Sequence, residues 1–257
     1  MASSQFAMTF SPLNVSTGRM KGGRGNIPEN FYKSTPLFLR HLLYRNKMNM
    51  TTVVLIVGQI RTGKSWTGLK LCEKYSQYKR LKYDPKTQMS FEILPFLLWS
   101  RDSTDSVYLL EELGRSVPPA EWWSVQSKIF RNFIDTQGFR RNVLIMTLPN
   151  AKNLLSSIRT NVNYVIVQKA QGYALVFKQI VDSLKGKMYY FYMGGLKTST
   201  PTQPTIEHYE KLKKEVNDEW LKNDIKEMET KEKRGSYKEL TPEDHFKDVK
   251  LKLTLDD

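Results

Sequence analysis

The feature that most constrains this chain is a glycine-rich octapeptide, Gly58-Gln59-Ile60-Arg61-Thr62-Gly63-Lys64-Ser65. It fits the pattern G-x-x-x-x-G-K-[ST], in which four positions are fixed. The apolar, β-branched run from Val53 to Val57 leads into it and predicts a buried parallel strand. A helix is predicted to follow, from Lys64 to about Tyr78. The octapeptide therefore stands where a strand passes into a helix, a context that a chance Gly-rich turn would not need.

This arrangement predicts a phosphate-binding loop, or P-loop. Gly58 and Gly63 let the backbone turn tightly and approach a polyphosphate, because neither carries a Cβ. Successive amides at the helix N-terminus would point at the phosphates, where the helix dipole favours negative charge. We expect Lys64 to contact the β- and γ-phosphates and the Ser65 hydroxyl to bind Mg²⁺. The expected ligands are ATP and Mg²⁺, held by the eight loop residues and by Trp66.

A second informative stretch is an apolar strand, 106–110, that ends in Glu111 and Glu112. Beside a P-loop, the first acid of such a pair lies near the Mg²⁺, and the second polarises the attacking water as a general base. We therefore assign Glu111 to the metal and Glu112 to catalysis together with Lys64. Taken alone, two glutamates after an apolar run usually mark an exposed strand end, and it is the nearby P-loop that favours the functional interpretation.

A third strand, 142–147, is predicted to lie beside the P-loop strand. Ligands bind at the carboxyl edge of parallel sheets, so Thr147 and Asn150 are both candidates to contact the γ-phosphate. The alternative for Asn150 is an N-cap of a helix over 152–160. Arg159, near the end of that helix, is predicted either to complete a neighbouring subunit's site as a catalytic arginine finger or to stabilise its own helix C-terminus.

The remaining pattern predicts an α/β, three-layer P-loop NTPase fold with a mainly parallel central sheet. Hairpin strands at the far edge are expected at 162–168, 173–181 and 187–193. Further helices are expected at 36–47, at 91–99 with Ser90 as cap, and at 118–136. Three regions follow: a basic arm and short helix (1–48), an ATPase core (49–196), and a linker with a charged helical tail (197–257). Within the tail, 206–233 is expected to be an exposed helix with charge pairs.

Composition excludes several classes of protein. A single cysteine, Cys72, rules out an internal disulfide framework, and we expect it to be a buried thiol. The three histidines are scattered, so no metal cluster is visible. No signal peptide is apparent, and the longest apolar stretches are far too short to span a bilayer. The expectation is a soluble, cytoplasmic protein with at most peripheral membrane contact.

Charge is unevenly distributed along the chain, which carries a formal net charge of +14. Residues 201–257 hold 12 basic and 15 acidic side chains, which leaves 28 basic and 11 acidic side chains in residues 1–200, a net charge of +17. The basic excess therefore belongs to the core and its N-terminal arm. Such an excess predicts a polyanionic partner, most simply nucleic acid, although solubility or anionic lipid would also explain it.

The motifs together resemble the HerA/FtsK-like branch of P-loop ATPases, and most closely its Zot-like and viral genome-packaging members. The matching pieces lie within about residues 50–180 and are GQIRTGKS, VYLLEELGRSVPP, FIDTQGFRRNVLIMT and SSIRTNVNYVIV. The chain departs from the family in having Glu111-Glu112 instead of Asp-Glu, and Thr147-Leu148 instead of a Thr-Gln sensor pair. It also lacks the membrane-spanning segment typical of Zot proteins.

The resemblance implies a ring-forming ATPase, with a hexamer as the candidate assembly, that translocates or packages double-stranded DNA in a virus or plasmid setting. One alternative is a Zot-like ATPase for virion assembly or extrusion at a membrane. The other is a protein without motor activity, in which bound ATP acts as a switch for binding or regulation.

Overall fold

The protein is described by a computed structural model that covers residues 37–113, 125–154, 156–182 and 184–233. The strands of this part of the chain are β1 (Thr52–Val57), β2 (Met89–Ser90), β3 (Val107–Leu110), β4 (Val143–Leu148), β5 (Tyr164–Ala170), β6 (Tyr173–Val181) and β7 (Met188–Lys197). They form one seven-stranded sheet in the order β2-β3-β4-β1-β5-β6-β7. The first five strands in that order pair in parallel. The last two pairings, β5 with β6 and β6 with β7, are antiparallel.

The α-helices of the described residues are α1 (Leu37–Lys47), α2 (Lys64–Lys79), α3 (Pro85–Gln88), α4 (Ile93–Arg101), α5 (Val125–Thr136), α6 (Ser156–Arg159) and α7 (Gln203–Lys233). Two short 3-10 helices, Gln137–Phe139 and Ala151–Asn153, precede β4 and α6. Among the residues described, no helix is both long enough and apolar enough to cross a membrane.

The helices cover both faces of the sheet, which explains the continuous apolar run of β1. Its alternate side chains enter two separate hydrophobic cores: Val54 and Ile56 pack with α1, α2 and Tyr209 of α7, whereas Val53, Leu55 and Val57 pack with α4, α5 and α6. A strand buried on both faces needs apolar residues at every position rather than at every second one. The result is the predicted three-layer α/β fold, with a mainly parallel sheet and a hairpin edge.

Several boundaries differ from those expected. The prediction that Ser90 caps a helix from residue 91 is wrong, because Met89 and Ser90 pair with Leu109 and Leu110 as strand β2, and α4 begins only at Ile93. Cys72 is buried, as expected. Only residues 125–136 of the helix expected at 118–136 are described. The basic N-terminal arm before residue 37 and the tail after residue 233 also lie outside the described residues.

The first half of α7 differs most from the expectation of an exposed helix. Tyr209 is 4% exposed, and Leu212, Val216 and Trp220 are partly buried against the core. The second half, with exposed Leu221, Ile225 and Met228, matches the expectation. Thus α7 is packed on the sheet in its first half and solvated in its second half.

Candidate active site

A cavity of about 760 Å³ lies at the carboxyl ends of β1, β3 and β4. This is the edge at which parallel sheets of this kind bind ligands. The volume falls within the range of small-molecule and cofactor sites. The side chains around it that carry charge or a hydroxyl include Arg61, Lys64, Ser65, Glu111, Glu112, Thr147, Tyr209 and Lys213.

The order of the strands explains how the predicted motifs meet. Strand β4 lies between β1, which leads into the P-loop, and β3, which ends at the two acids. Val57 at the end of β1 is paired with Leu148, and Leu110 at the end of β3 is paired with Met146. All three strand ends therefore open on the same cavity.

The two loop glycines are required by close approach to the β5–β6 hairpin. A Cβ on Gly58 would lie 2.9 Å from the Gln168 Cβ, a distance too short for two carbon atoms. Gly63 has a φ of 92°, in the left-handed region, and a Cβ there would lie 3.2 Å from the Gln171 Cα. The hairpin thus fixes the shape of the P-loop from one side.

The N-terminus of α2 can bind an anion. Gly63 is its N-cap residue, and no side chain caps the first turn. The N-terminal amides of a helix lack intrahelical partners, so these donors are available to a phosphate. The Lys64 Nζ donates to the Gln59 carbonyl at 2.8 Å and holds the loop in a compact form. Burial lowers the pKa of Lys64, an effect that Glu111 and Glu112 partly oppose.

Glu111 is held in a buried position beside the P-loop. Its side chain is 1% exposed, and its Oε2 accepts a hydrogen bond of 2.7 Å from the Ser65 hydroxyl. Its Oε1 has no hydrogen-bond partner among the described residues. Burial raises the pKa of Glu111 to about 7, although the Ser65 hydroxyl and Lys213 lower it. A buried carboxylate oxygen next to a serine hydroxyl is a suitable pair of ligands for Mg²⁺.

Glu112 is directed into the same cavity by an unusual backbone conformation. Its φ is 51°, in the left-handed region that side chains other than glycine seldom adopt. Its amide donates to the Thr147 Oγ1 at 3.0 Å, which ties the end of β3 to the end of β4. Backbone strain of this kind persists where the surroundings enforce it, and it is concentrated at functional sites.

Two residues of α7, Tyr209 and Lys213, lie at the site although sequence reasoning did not predict them there. The Lys213 Nζ lies 3.2 Å from the Glu112 Oε1 and donates to the Tyr209 hydroxyl at 3.1 Å. A signal was present: Leu212, Val216 and Trp220 recur every four residues, the spacing of a helix face packed against a core. Because the surrounding sequence is highly charged, the same spacing also fits the exposed helix that we expect there. Gln171, in the β5–β6 turn, also lines the cavity and was not predicted.

Most, but not all, of the other predicted site residues line the cavity. Ile60, Arg61, Gly63, Lys64, Ser65 and Trp66 line the cavity. Gly58, Gln59 and Thr62 are not among its lining residues but shape the loop, since the Gln59 carbonyl accepts from both the Thr62 hydroxyl and Lys64. Thr147 lines the cavity and is 1% exposed.

The two remaining candidates, Asn150 and Arg159, lie outside the cavity lining. The Asn150 side chain accepts from the Lys152 amide at 2.9 Å and caps the 3-10 helix Ala151–Asn153. The expected helix over 152–160 is wrong as one element, because the extended backbone of Leu154 ends this 3-10 helix and α6 covers only Ser156–Arg159. Arg159 is the last residue of α6, and its carbonyl accepts from Gln179. Its Nε makes no hydrogen bond to a described residue. An arginine finger would act on a neighbouring subunit, so this position within one chain leaves that role a prediction.

Comparison with known proteins finds likeness only among solved structures. No family model matches the chain, and no curated protein matches it. The N-terminal domain of zonular occludens toxin from Neisseria meningitidis is 15% identical over 62% of this chain and 98% of its own, with a TM-score of 0.38. EssC (ATPases 2 and 3) from Geobacillus thermodenitrificans is 13% identical over 66% of this chain and 43% of its own, with a TM-score of 0.37.

The genome-packaging NTPase B204 from Sulfolobus turreted icosahedral virus 2 is 10% identical over 55% of this chain and 96% of its own, with a TM-score of 0.32. At such low identities and TM-scores, nothing about the activity of this chain follows from these likenesses.

Proposed function

We propose that this protein is a Mg²⁺-dependent ATPase. The observation that carries the proposal is the meeting of Lys64, Ser65, Glu111 and Glu112 around one cavity at the carboxyl edge of the sheet. The P-loop supplies a cation and uncapped helix amides for the phosphates. The end of β3 supplies two carboxylates opposite them. A phosphate cradle facing a pair of acids is the arrangement that phosphoryl transfer to water requires.

The residues present fit a magnesium ion. The Ser65 hydroxyl and Glu111 would hold it, since they lie in hydrogen-bond contact and one buried carboxylate oxygen of Glu111 has no partner among the described residues. Such an ion would neutralise charge on the β- and γ-phosphates. Because a carboxylate must be ionised to bind a metal, Glu111 would release its proton as it does so.

Lys64 and Glu112 account for the remaining steps of ATP hydrolysis. Lys64 would exchange the Gln59 carbonyl for phosphate oxygens, which are stronger acceptors because they are charged. Glu112 would orient a water and take its proton as the water oxygen bonds to the terminal phosphorus. The bond from that phosphorus to the bridging oxygen breaks, its electron pair stays on that oxygen of ADP, and inorganic phosphate is the other product. Lys64 would stabilise the charge that develops on the β-phosphate. The fixed backbone at Glu112 and Thr147 would keep the carboxylate aimed at that water.

We further propose that ATP hydrolysis drives a ring-shaped motor on double-stranded DNA. The net charge of +17 over residues 1–200 and the motif resemblance support this reading. A strongly basic surface favours association with a polyanion through counterion release. In such a ring Arg159 would reach the site of the next subunit. The Asn150 side chain, given its capping contact, is the weaker of the two γ-phosphate candidates, and Thr147 is the stronger.

Two measurements on the same preparation test this proposal. Phosphate release with and without duplex DNA, and with and without anionic liposomes, tests the partner. Light scattering after size exclusion, with and without ATP and DNA, tests the ring. Stimulation by DNA together with an ATP-dependent oligomer would support the motor. Stimulation by liposomes alone would favour the membrane-associated alternative, and a monomer that turns over ATP no faster than minutes would favour the switch.

A further inference from the structure

The helix α7 is built into the core at its N-terminal end. The Glu73 carboxylate of α2 accepts from both the amide and the hydroxyl of Thr202, at 2.8 and 2.7 Å, just before α7 begins. Tyr209 stacks on Phe91 with ring centroids 5.8 Å apart, and Trp220 contacts the same ring edge-on at 6.2 Å. These contacts hold the first half of α7 in one position relative to the P-loop helix.

That position brings one turn of α7 into the candidate active site. Tyr209 and Lys213 are four residues apart and therefore lie on the same face of the helix. Both line the cavity that contains Lys64 and Ser65. The Lys213 ammonium contacts two groups there: the Glu112 carboxylate at 3.2 Å and the Tyr209 hydroxyl at 3.1 Å. The cavity thus contains a cation that the P-loop does not supply.

The Lys213 ammonium lies at the end of the cavity where the terminal phosphate of a nucleotide is expected. Glu112 is the residue assigned to the attacking water, which must approach the γ-phosphorus. Tyr209, which accepts from Lys213, lines the same cavity as Ser65. Ser65 and Glu111 are the residues that would hold the metal ion. A cation beside Glu112 would therefore lie nearer to the γ-phosphate than to the nucleoside.

The charge state of Lys213 suits contact with a phosphate. Burial lowers the pKa of Lys213, but the Tyr209 hydroxyl and Glu112 raise it, and the net direction is upward. The ammonium therefore stays protonated at neutral pH. Its side chain is 36% exposed, so it keeps the freedom to change partners. A phosphate oxygen is a charge-assisted acceptor at least as good as a carboxylate.

We propose that Lys213 is a second cationic ligand of the terminal phosphate of a nucleoside triphosphate, supplied by the chain's own α7 and held in place by Tyr209. Without nucleotide, Lys213 pairs with Glu112. With ATP bound, its ammonium moves to a γ-phosphate oxygen, which releases the Glu112 carboxylate to accept the proton of water. The inference rests on the proposed ATP site and adds to it a means of distinguishing ATP from ADP.

A different role for the same contact would have the opposite sign. If the Lys213–Glu112 pair only kept the general base occupied, removing Lys213 would free Glu112 and speed hydrolysis. If Lys213 only stabilised the packing of α7, removing it would weaken ATP and ADP binding equally. The three readings therefore predict different changes in measurable quantities.

The test compares Lys213→Met and Lys213→Arg with wild type, and uses Lys214→Met as the matched control because Lys214 is exposed on the same helix. Affinities for ATP and ADP are titrated with Mg²⁺ present, and phosphate release is followed at saturating ATP. Since a hydrogen bond to a charged group is lost, Lys213→Met should bind ATP about tenfold or more weakly. Its ADP affinity should stay within about twofold, because ADP lacks the group that Lys213 contacts. Lys213→Arg should recover most of the loss, and Lys214→Met should match wild type.

Equal losses for ATP and ADP, an unchanged ATP affinity, or faster hydrolysis by Lys213→Met would each overturn the inference. Lys64→Ala, measured alongside, separates this failure from that of the proposed function. If Lys64→Ala loses nucleotide binding while Lys213→Met behaves as wild type, only the role of Lys213 is wrong. If wild type binds no ATP, or Lys64→Ala binds it normally, the ATP site itself is wrong.

Discussion

The burial of Glu111 makes a quantitative prediction about stability. In the folded protein its pKa is raised from 4.5 to about 7, chiefly by desolvation. The folded state therefore holds the proton more tightly than the unfolded state does. The sign of the effect follows: the free energy of unfolding falls as pH rises between these two values, and the loss is complete above the folded pKa. For one such group, the loss between about pH 5 and about pH 8 is about 2–3 kcal/mol.

Glu111→Gln removes this pH-dependent contribution to the free energy of unfolding, because glutamine does not titrate. We expect the free energy of unfolding of wild type, relative to that of Glu111→Gln, to fall by about 2–3 kcal/mol between about pH 5 and about pH 8. Urea unfolding at several pH values, without nucleotide and with a chelator, measures it. Glu92→Gln, which changes an exposed glutamate, is the control and should show no such trend. A difference between wild type and Glu111→Gln that does not change with pH would refute the reasoning.

Three further predictions concern the site and the packing around it. Glu112→Gln should bind ATP but lower the rate of phosphate release by about 10²–10⁴-fold, since it removes the general base; turnover at the wild-type rate would remove Glu112 from the mechanism. Gly58→Ala should weaken ATP binding, because its Cβ would lie 2.9 Å from the Gln168 Cβ. Gly138→Ala is the control and should bind ATP as wild type does, since no atom lies within 4 Å of its Cβ. Equal ATP affinities of Gly58→Ala and wild type in a titration would contradict this. Phe91→Ala should lower the free energy of unfolding by about 3–5 kcal/mol, as for other buried rings. Leu94→Ala, which changes an exposed side chain, should alter it little. Similar urea midpoints of Phe91→Ala and wild type would show that Phe91 does not hold α7 as described.

Much of the fold follows from local patterns in the sequence. The apolar run 53–57, the glycine-rich turn and the helix from Lys64 were all placed to within a residue or two, because burial on both faces and the loop chemistry leave few alternatives. The far-edge hairpins were also recognised from their turns. Strand β2 was missed because two residues cannot show a periodicity, and its existence depends on pairing with β3.

The composition of the site shows where sequence reasoning stops. Lys64, Ser65, Glu111 and Glu112 could be named because each belongs to a short motif. Lys213 could not, since its role depends on how α7 packs roughly 100 residues away in sequence from Glu112. The spacing of Leu212, Val216 and Trp220 showed that one face of α7 could pack, but not which surface it would meet. Partners that come from distant parts of the chain are set by tertiary contacts, which no local pattern encodes.

The most direct test of the account is a calorimetric titration of Mg²⁺ and ATP into wild type, Lys64→Ala and Lys74→Ala. Lys74 lies on the same helix as Lys64 but outside the cavity, where its side chain contacts Gln77. Wild type and Lys74→Ala should bind ATP alike, and Lys64→Ala should bind it at least about tenfold more weakly, because a charged contact to the phosphates is lost. Equal binding by Lys64→Ala and wild type, or no binding by wild type, would contradict it.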